Sequence, residues 1–218
     1  PLEFLRQQIA VVMDDLGADA IKTGMLADSA TIAAVCDEIA TRAPGVPLVA
    51  DPVMVAKGGH PLLVPEAAET LKHRLLPMAA VLTPNLPEAE ALCGFAIPDV
   101  GAMHQAAKAL LAMGAKAVLL KGGHLPGDEV VDLLATGTRL EIFRDRRIQT
   151  RHTHGTGCTL ASAVAAGLAQ GLSLRDSVIR ARAYVRAAIA AAPGFGAGHG
   201  PLDHGVTCDP SVLRENVL

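Results

Sequence analysis

Five short segments carry residue types suited to phosphate and metal chemistry. They are Lys22-Thr23-Gly24-Met25, Asp51-Pro52-Val53-Met54, Thr83-Pro84-Asn85 with Glu88, Lys121-Gly122-Gly123-His124 and Thr153-His154-Gly155-Thr156-Gly157-Cys158-Thr159. The last of these ends a polar stretch and opens an Ala-rich helical run. The first turn of a helix has backbone N–H groups without intrahelical partners, at the positive end of the macrodipole, and an oxyanion satisfies both. Gly155 and Gly157 let the backbone approach such an anion and take positive φ, and Thr156 is expected to cap through its hydroxyl. Cys158 falls in the first turn, where the same dipole biases a thiol toward thiolate and suits it to accept or relay a proton. Taken alone, the segment also reads as an ordinary Gly-containing helix start with a buried Cys.

Asp51 and Glu88, with Thr83 and Asn85 near them, suit a hydrated Mg²⁺, which takes one or two carboxylates plus substrate phosphates. Lys121 supplies a point positive charge to the same phosphates. Singly, each has a plainer reading: Asp51 and Thr83 precede X-Pro turns, and Glu88 begins a helix where acidic residues are favoured. Jointly they describe a phosphoryl-transfer site that works by positioning and electrostatics. A Walker A loop is absent from the sequence. Met25 and Met54 read as core residues, and His154 as a loop cap or a contact to the phosphate segment. Gly58-Gly59 and the glycines of 194–200 read as loops, with a lid over the site as the functional alternative.

These groups need a scaffold that delivers them to one rim. Hydrophobic periodicity predicts helix 3–15, strand 18–23, helix 29–42, strand 47–51, helix 65–75, strand 79–83, helices 87–93 and 100–113, and strand 116–121. That alternation implies parallel βαβ units with right-handed crossovers, whose ligands bind beyond the carboxyl ends of the strands. Two or three shorter strands, 130–135, 139–143 and 147–150, look like an antiparallel edge, and helices 156–170 and 173–192 follow.

The 218 residues are half hydrophobic and suit one substantial α/β core. Aromatics are 2% and the net charge is −3 without a basic stripe, which argues against a nucleic-acid platform and for a small-molecule partner. The four cysteines lie far apart, as reduced thiols do, and no His-Glu-x-x-His occurs to mark a structural metal site. No stretch has the apolar length to span a bilayer, so the expected compartment is the cytoplasm.

In order and spacing, the five segments resemble the hydroxymethylpyrimidine/phosphomethylpyrimidine kinases of thiamin biosynthesis, in the ribokinase-like superfamily. The resemblance runs over nearly the whole chain, including Gly198-His199-Gly200-Pro201 and His204, and the Thr-His-Gly-Thr-Gly-Cys form is its narrowest part. It implies a three-layer α/β fold, a mostly parallel sheet with helices on both faces and an antiparallel edge. It implies a single kinase domain over 1–218 that lacks the family's N-terminal first strand and Gly-rich substrate loop. The implied activity is ATP- and Mg²⁺-dependent phosphorylation of 4-amino-5-hydroxymethyl-2-methylpyrimidine and of its monophosphate, by a homodimer. Implied roles are Glu88 and Asp51 at Mg²⁺, Thr83, Asn85, Thr156 and Lys121 at the nucleotide, and Met25 in the pyrimidine pocket. Gly155 and Gly157 belong to the anion hole, Lys121 contacts the transferred phosphate, and Cys158 stands where most of the superfamily has an Asp base. A pyridoxal kinase of the same fold, or a non-catalytic nucleotide-binding sensor, is the alternative.

Overall fold

Leu48-Val49-Ala50 has no polar face, and such a run is stable as a strand only if both its faces are buried. In the computed structural model, which describes residues 1–54 and 64–208, it is an inner strand and all three residues are buried. Gly58-Gly59 lie outside the described residues. The chain divides into two units, Pro1–Asp145 and Arg146–Leu218.

The first unit runs α1 (Leu2–Asp15), β1 (Ile21–Thr23), α2 (Ser29–Arg42), β2 (Leu48–Ala50), α3 (Pro65–Thr70), β3 (Val81–Leu82), α4 (Leu86–Cys93), α5 (Val100–Ala112), β4 (Ala117–Lys121) and β5 (Glu129–Thr136). β6 (Leu140–Arg146) ends at the boundary between the units. The six strands form one sheet in sequence order, β1 to β4 parallel and β5 antiparallel to β4. Alternation along the strands sorts the side chains by face. Leu48, Ala50, Leu82, Val118, Leu120, Leu133 and Ala135 join the main core with Ile32, Leu92, Met103 and Leu110 of the helices. Val49, Val81 and Leu119 point the other way and are equally inaccessible, so both faces of the sheet are covered.

Local chemistry sets the helix ends. Asp28 caps α2 by accepting the Thr31 N–H at 2.7 Å, which places the helix start as its sequence predicts. The helix expected over 65–75 is α only to Thr70. A π turn, Leu71–Leu75, and a 3₁₀ turn, Leu76–Met78, complete it, because Pro77 has no N–H to continue an α-helical ladder. The strand considered at 147–150 does not form: β6 starts later than expected and runs to Arg146, and no strand follows before α6.

The second unit holds α6 (Thr156–Ala169), α7 (Leu174–Ala190) and a 3₁₀ turn (His204–Cys208). Ala188, Leu202 and Val206 form a small core that ties the turn to α7. The glycines of 194–200 lie in irregular backbone that straps the segment before α6. Arg151 donates to the carbonyls of Gly196 and Ala197, and the His154 N–H donates to Gly200 O at 3.2 Å. The α6–α7 contact depends on one missing side chain: a Cβ at Gly167 would sit 2.5 Å from Ser177 Oγ and 3.0 Å from Ser177 Cα. Gly167→Ala is therefore expected to lower stability by about 1–3 kcal/mol despite alanine's better helix propensity. Urea unfolding followed by circular dichroism checks this; an unchanged or raised midpoint contradicts it.

Candidate active site

The carboxyl ends of β1 to β4 converge on Asp51. Its side chain is 2% exposed and follows directly on β2. Lys121, the last residue of β4, donates Nζ to Asp51 Oδ1 at 3.0 Å, and the buried Thr83 hydroxyl, just beyond β3, donates to the same oxygen at 3.1 Å. Lys22 of β1 approaches the other oxygen, with Nζ 3.7 Å from Oδ2. A carboxylate this far from water needs such compensation, since desolvating one ion costs several kcal/mol.

Lys121 is itself held firmly. Its N–H donates to Pro84 O at 2.9 Å, and its neighbour Gly122 donates to the buried Asp132 carboxylate at 3.1 Å. No side chain fits at position 122, where a Cβ would fall 1.9 Å from Val131 O. Asp132 falls outside the five segments read from the sequence, and Lys22 lies within the first of them without a role of its own. The signal for Asp132 is an acid inside the apolar run 130–135; that for Lys22 is its place at a strand end.

Asn85 and Glu88 are used structurally as well as being candidate ligands. They form a reciprocal capping box on α4: Asn85 Oδ1 accepts the Glu88 N–H at 2.9 Å, and Glu88 Oε2 accepts the Asn85 N–H at 2.8 Å. Glu88 is 3% exposed. Burial pushes its carboxyl above the ordinary glutamate range, the charge of Asp51 pushes the same way, and Lys121 with the Asn85 and Met54 backbone opposes them. A divalent cation would relieve that strain on the charged form. Asp51 is answered by two lysines, so Glu88 is the carboxylate best suited to such an ion. Among the described residues no group of three or more His, Cys, Asp or Glu gathers as a metal cage. That donor set suits Mg²⁺, which keeps waters and relies on substrate phosphates.

Met25 is 54% exposed on the loop after β1, contrary to its reading as core, whereas Met54 packs in the core as expected.

In the second unit, Gly155 takes φ 83° as the N-cap of α6, the left-handed conformation that favours glycine. Gly157 lies within the helix and has no positive φ. Thr156 does not cap. It is the first helical residue, and its hydroxyl donates back to Thr153 O at 2.8 Å. The start of α6 consequently has no side-chain cap. Cys158 is exposed at the third helical position, so the buried-Cys reading does not hold. It lines a hollow of about 390 Å³ with Thr159, Ser162, Ala163, Tyr184 and His204, within the range of small-molecule sites. Thr159 Oγ1 lies 3.0 Å from His204 Nε2, and the Tyr184 hydroxyl donates to His204 O.

Residues 1–203 match the family described as phosphomethylpyrimidine kinase. The chain belongs to that family. A Streptomyces coelicolor hydroxymethylpyrimidine/phosphomethylpyrimidine kinase is 47% identical over 94% of this chain and 75% of its own length. The Geobacter sulfurreducens thiamine biosynthesis bifunctional protein ThiED is also 47% identical, and this chain spans 41% of it. Among solved structures, the Staphylococcus aureus pyridoxal kinase in complex with ADP superposes with a TM-score of 0.88 at 35% identity, over 95% of this chain and 75% of that one. The ribokinase-like α/β fold expected from the sequence is the fold observed, and kinase-family membership implies use of ATP.

Because burial raises its folded-state value, Glu88 holds its proton longer in the native state than in the unfolded chain. Its contribution to stability is therefore full below about 4.5, the ordinary glutamate value, and is lost as pH rises through the raised value. Glu88→Gln keeps an acceptor for the capping box and removes this titration. In metal-free buffer, the urea midpoint of the unsubstituted protein should fall more steeply with rising pH than that of the variant; parallel slopes would refute the assignment.

Proposed function

We propose that this protein is an ATP- and Mg²⁺-dependent kinase that phosphorylates the hydroxymethyl group of 4-amino-5-hydroxymethyl-2-methylpyrimidine and then the resulting monophosphate. The observation that carries the reading is the 47% identity, over 94% of the chain, to a kinase named for those two substrates. In this reading Pro1–Asp145 and Arg146–Leu218 are the parts of one kinase domain.

ATP supplies the phosphoryl group, and Mg²⁺ neutralises its oxygens when bound. Glu88 would hold the ion, supported by Asp51, Thr83 and Asn85. Lys121 offers its ammonium, held in place by Asp51, to the transferred phosphate. The amides from Gly155 to Cys158, Thr156 included, take the nucleotide's phosphate oxygens at the uncapped start of α6. Met25 offers an exposed thioether to the pyrimidine ring. Cys158 Sγ takes the proton from the attacking hydroxymethyl oxygen, aided by the helix start.

Among the described residues no helix is long and apolar enough to cross a membrane, and Cys36 and Cys93 form no disulfide. The compartment assigned in this reading is the cytoplasm, where scattered cysteines such as these stay reduced. Its homodimeric state is open to light scattering.

General-base catalysis is worth about 10²–10⁴ in rate, so Cys158→Ala should lower kcat by that factor with ATP affinity changed little. Coupled-assay kinetics with calorimetric ATP titration test this, and undiminished turnover removes Cys158 as the base. Pyridoxal, assayed beside the pyrimidine, separates the two kinase readings. A preference for pyridoxal in kcat/KM overturns the substrate assignment, and ATP binding without turnover of either compound leaves the sensor.

A further inference from the structure

Two ammonium groups share one carboxylate in this site. Lys121 takes the close hydrogen bond to Asp51 at 3.0 Å, and Lys22 stands 3.7 Å from the opposite oxygen. Lys121 holds Asp51 the more closely, so Lys22 is the less tightly paired of the two ammonium groups. Glu88, the other buried carboxylate, is coupled by charge to Lys121 and Asp51. The Lys22 side chain retains 19% exposure and is within reach of a ligand.

The local backbone aims this charge. Gly24 leaves room for Lys22 Nζ to fold over the chain, 3.0 Å from where a Cβ at position 24 would stand. Met25 follows, 54% exposed. A thioether and an ammonium three residues apart in sequence suit an aromatic ring that bears an anionic substituent. The two lysines also have different neighbours. Lys121 pairs with Asn85 in an isolated bridge and lies near enough to Glu88 to favour its charged form, so it belongs with the metal and nucleotide. Lys22 lies in β1, three residues before Met25 on the loop that follows the strand, so it stands on the acceptor side of the site in this reading.

We propose that Lys22 is the phosphate-recognition residue for the monophosphate substrate: it binds the phosphate already attached to the pyrimidine and so makes the second phosphorylation efficient. The inference rests on the pyrimidine-kinase reading above. Its chemistry is that of a phosphate monoester held by an ammonium, and a nucleotide phosphate would satisfy the same cation, so the test must tell the two apart.

The test compares the unsubstituted full chain with Lys22→Gln and Lys22→Arg. Removing a charge-assisted hydrogen bond to a phosphate weakens binding about tenfold or more. The ratio of kcat/KM for the monophosphate to kcat/KM for the alcohol should fall by at least that factor in Lys22→Gln, chiefly through KM for the monophosphate. Lys22→Arg should restore most of the ratio. An equal loss on both substrates overturns the proposal and makes Lys22 a positioning partner of Asp51. A rise confined to KM for ATP overturns it in favour of a nucleotide contact. Calorimetric titration with the pyrimidine monophosphate gives a readout independent of turnover. Weaker binding to Lys22→Gln supports the assignment even if the unsubstituted chain turns over neither substrate, a result that by itself defeats only the functional reading; equal binding overturns the assignment.

Discussion

The Asp51 carboxylate has almost no contact with water, and the ends of four strands are arranged to compensate it. Lys22 comes from β1, the backbone of Asp51 continues β2, Thr83 follows β3, and Lys121 ends β4. Removing one partner of such a buried pair typically costs about 3–5 kcal/mol, so register and strand length are not free to drift. The parallel pairings Thr23 with Ala50, Ala50 with Leu82 and Leu82 with Val118 hold these ends level. A one-residue slip in β4 would turn Lys121 away from Asp51 and at the same time move Leu120 out of the main core. Core packing and site geometry are thus enforced by the same alternation.

Asp51 and Glu88 are two buried carboxylates in unlike surroundings. Asp51 has cations from its own chain on both oxygens, whereas Glu88 has backbone amides and the charge of Lys121, which is itself hydrogen-bonded to Asp51. The pair follows the general pattern in which neighbouring acids are given different work by environment rather than by type. Asp51 organises side chains, and Glu88 remains responsive to whatever positive charge arrives.

Much of this was legible beforehand, and the omissions have physical causes. The βα alternation and the start of α2 could be read because an apolar period and an Asp cap are local signals. The strands came out shorter than their apolar runs, since hydrophobicity marks what is buried and not where ladder bonds stop. Asp51, Thr83 and Lys121 were recognisable as a group only through strand order, which brings residues far apart in sequence to one rim. The double use of Asn85 and Glu88 was half visible: an acid near a helix start is expected, but reciprocity needs coordinates. Asp132 and the pairing of Lys22 escaped because each depends on a neighbour many residues away.

Gly155 shows a tension between durability and responsiveness. A Ser, Thr or Asp at an N-cap ordinarily adds about 1 kcal/mol, yet position 155 combines a left-handed backbone with no side chain to fold over the first turn. A helix closed by its own residue would be sturdier by itself and less receptive. As built, Gly155 provides no side-chain cap for α6, and an arriving anion can act as a temporary one. Binding and helix stability then become linked, so that occupancy hardens the very segment that carries Cys158.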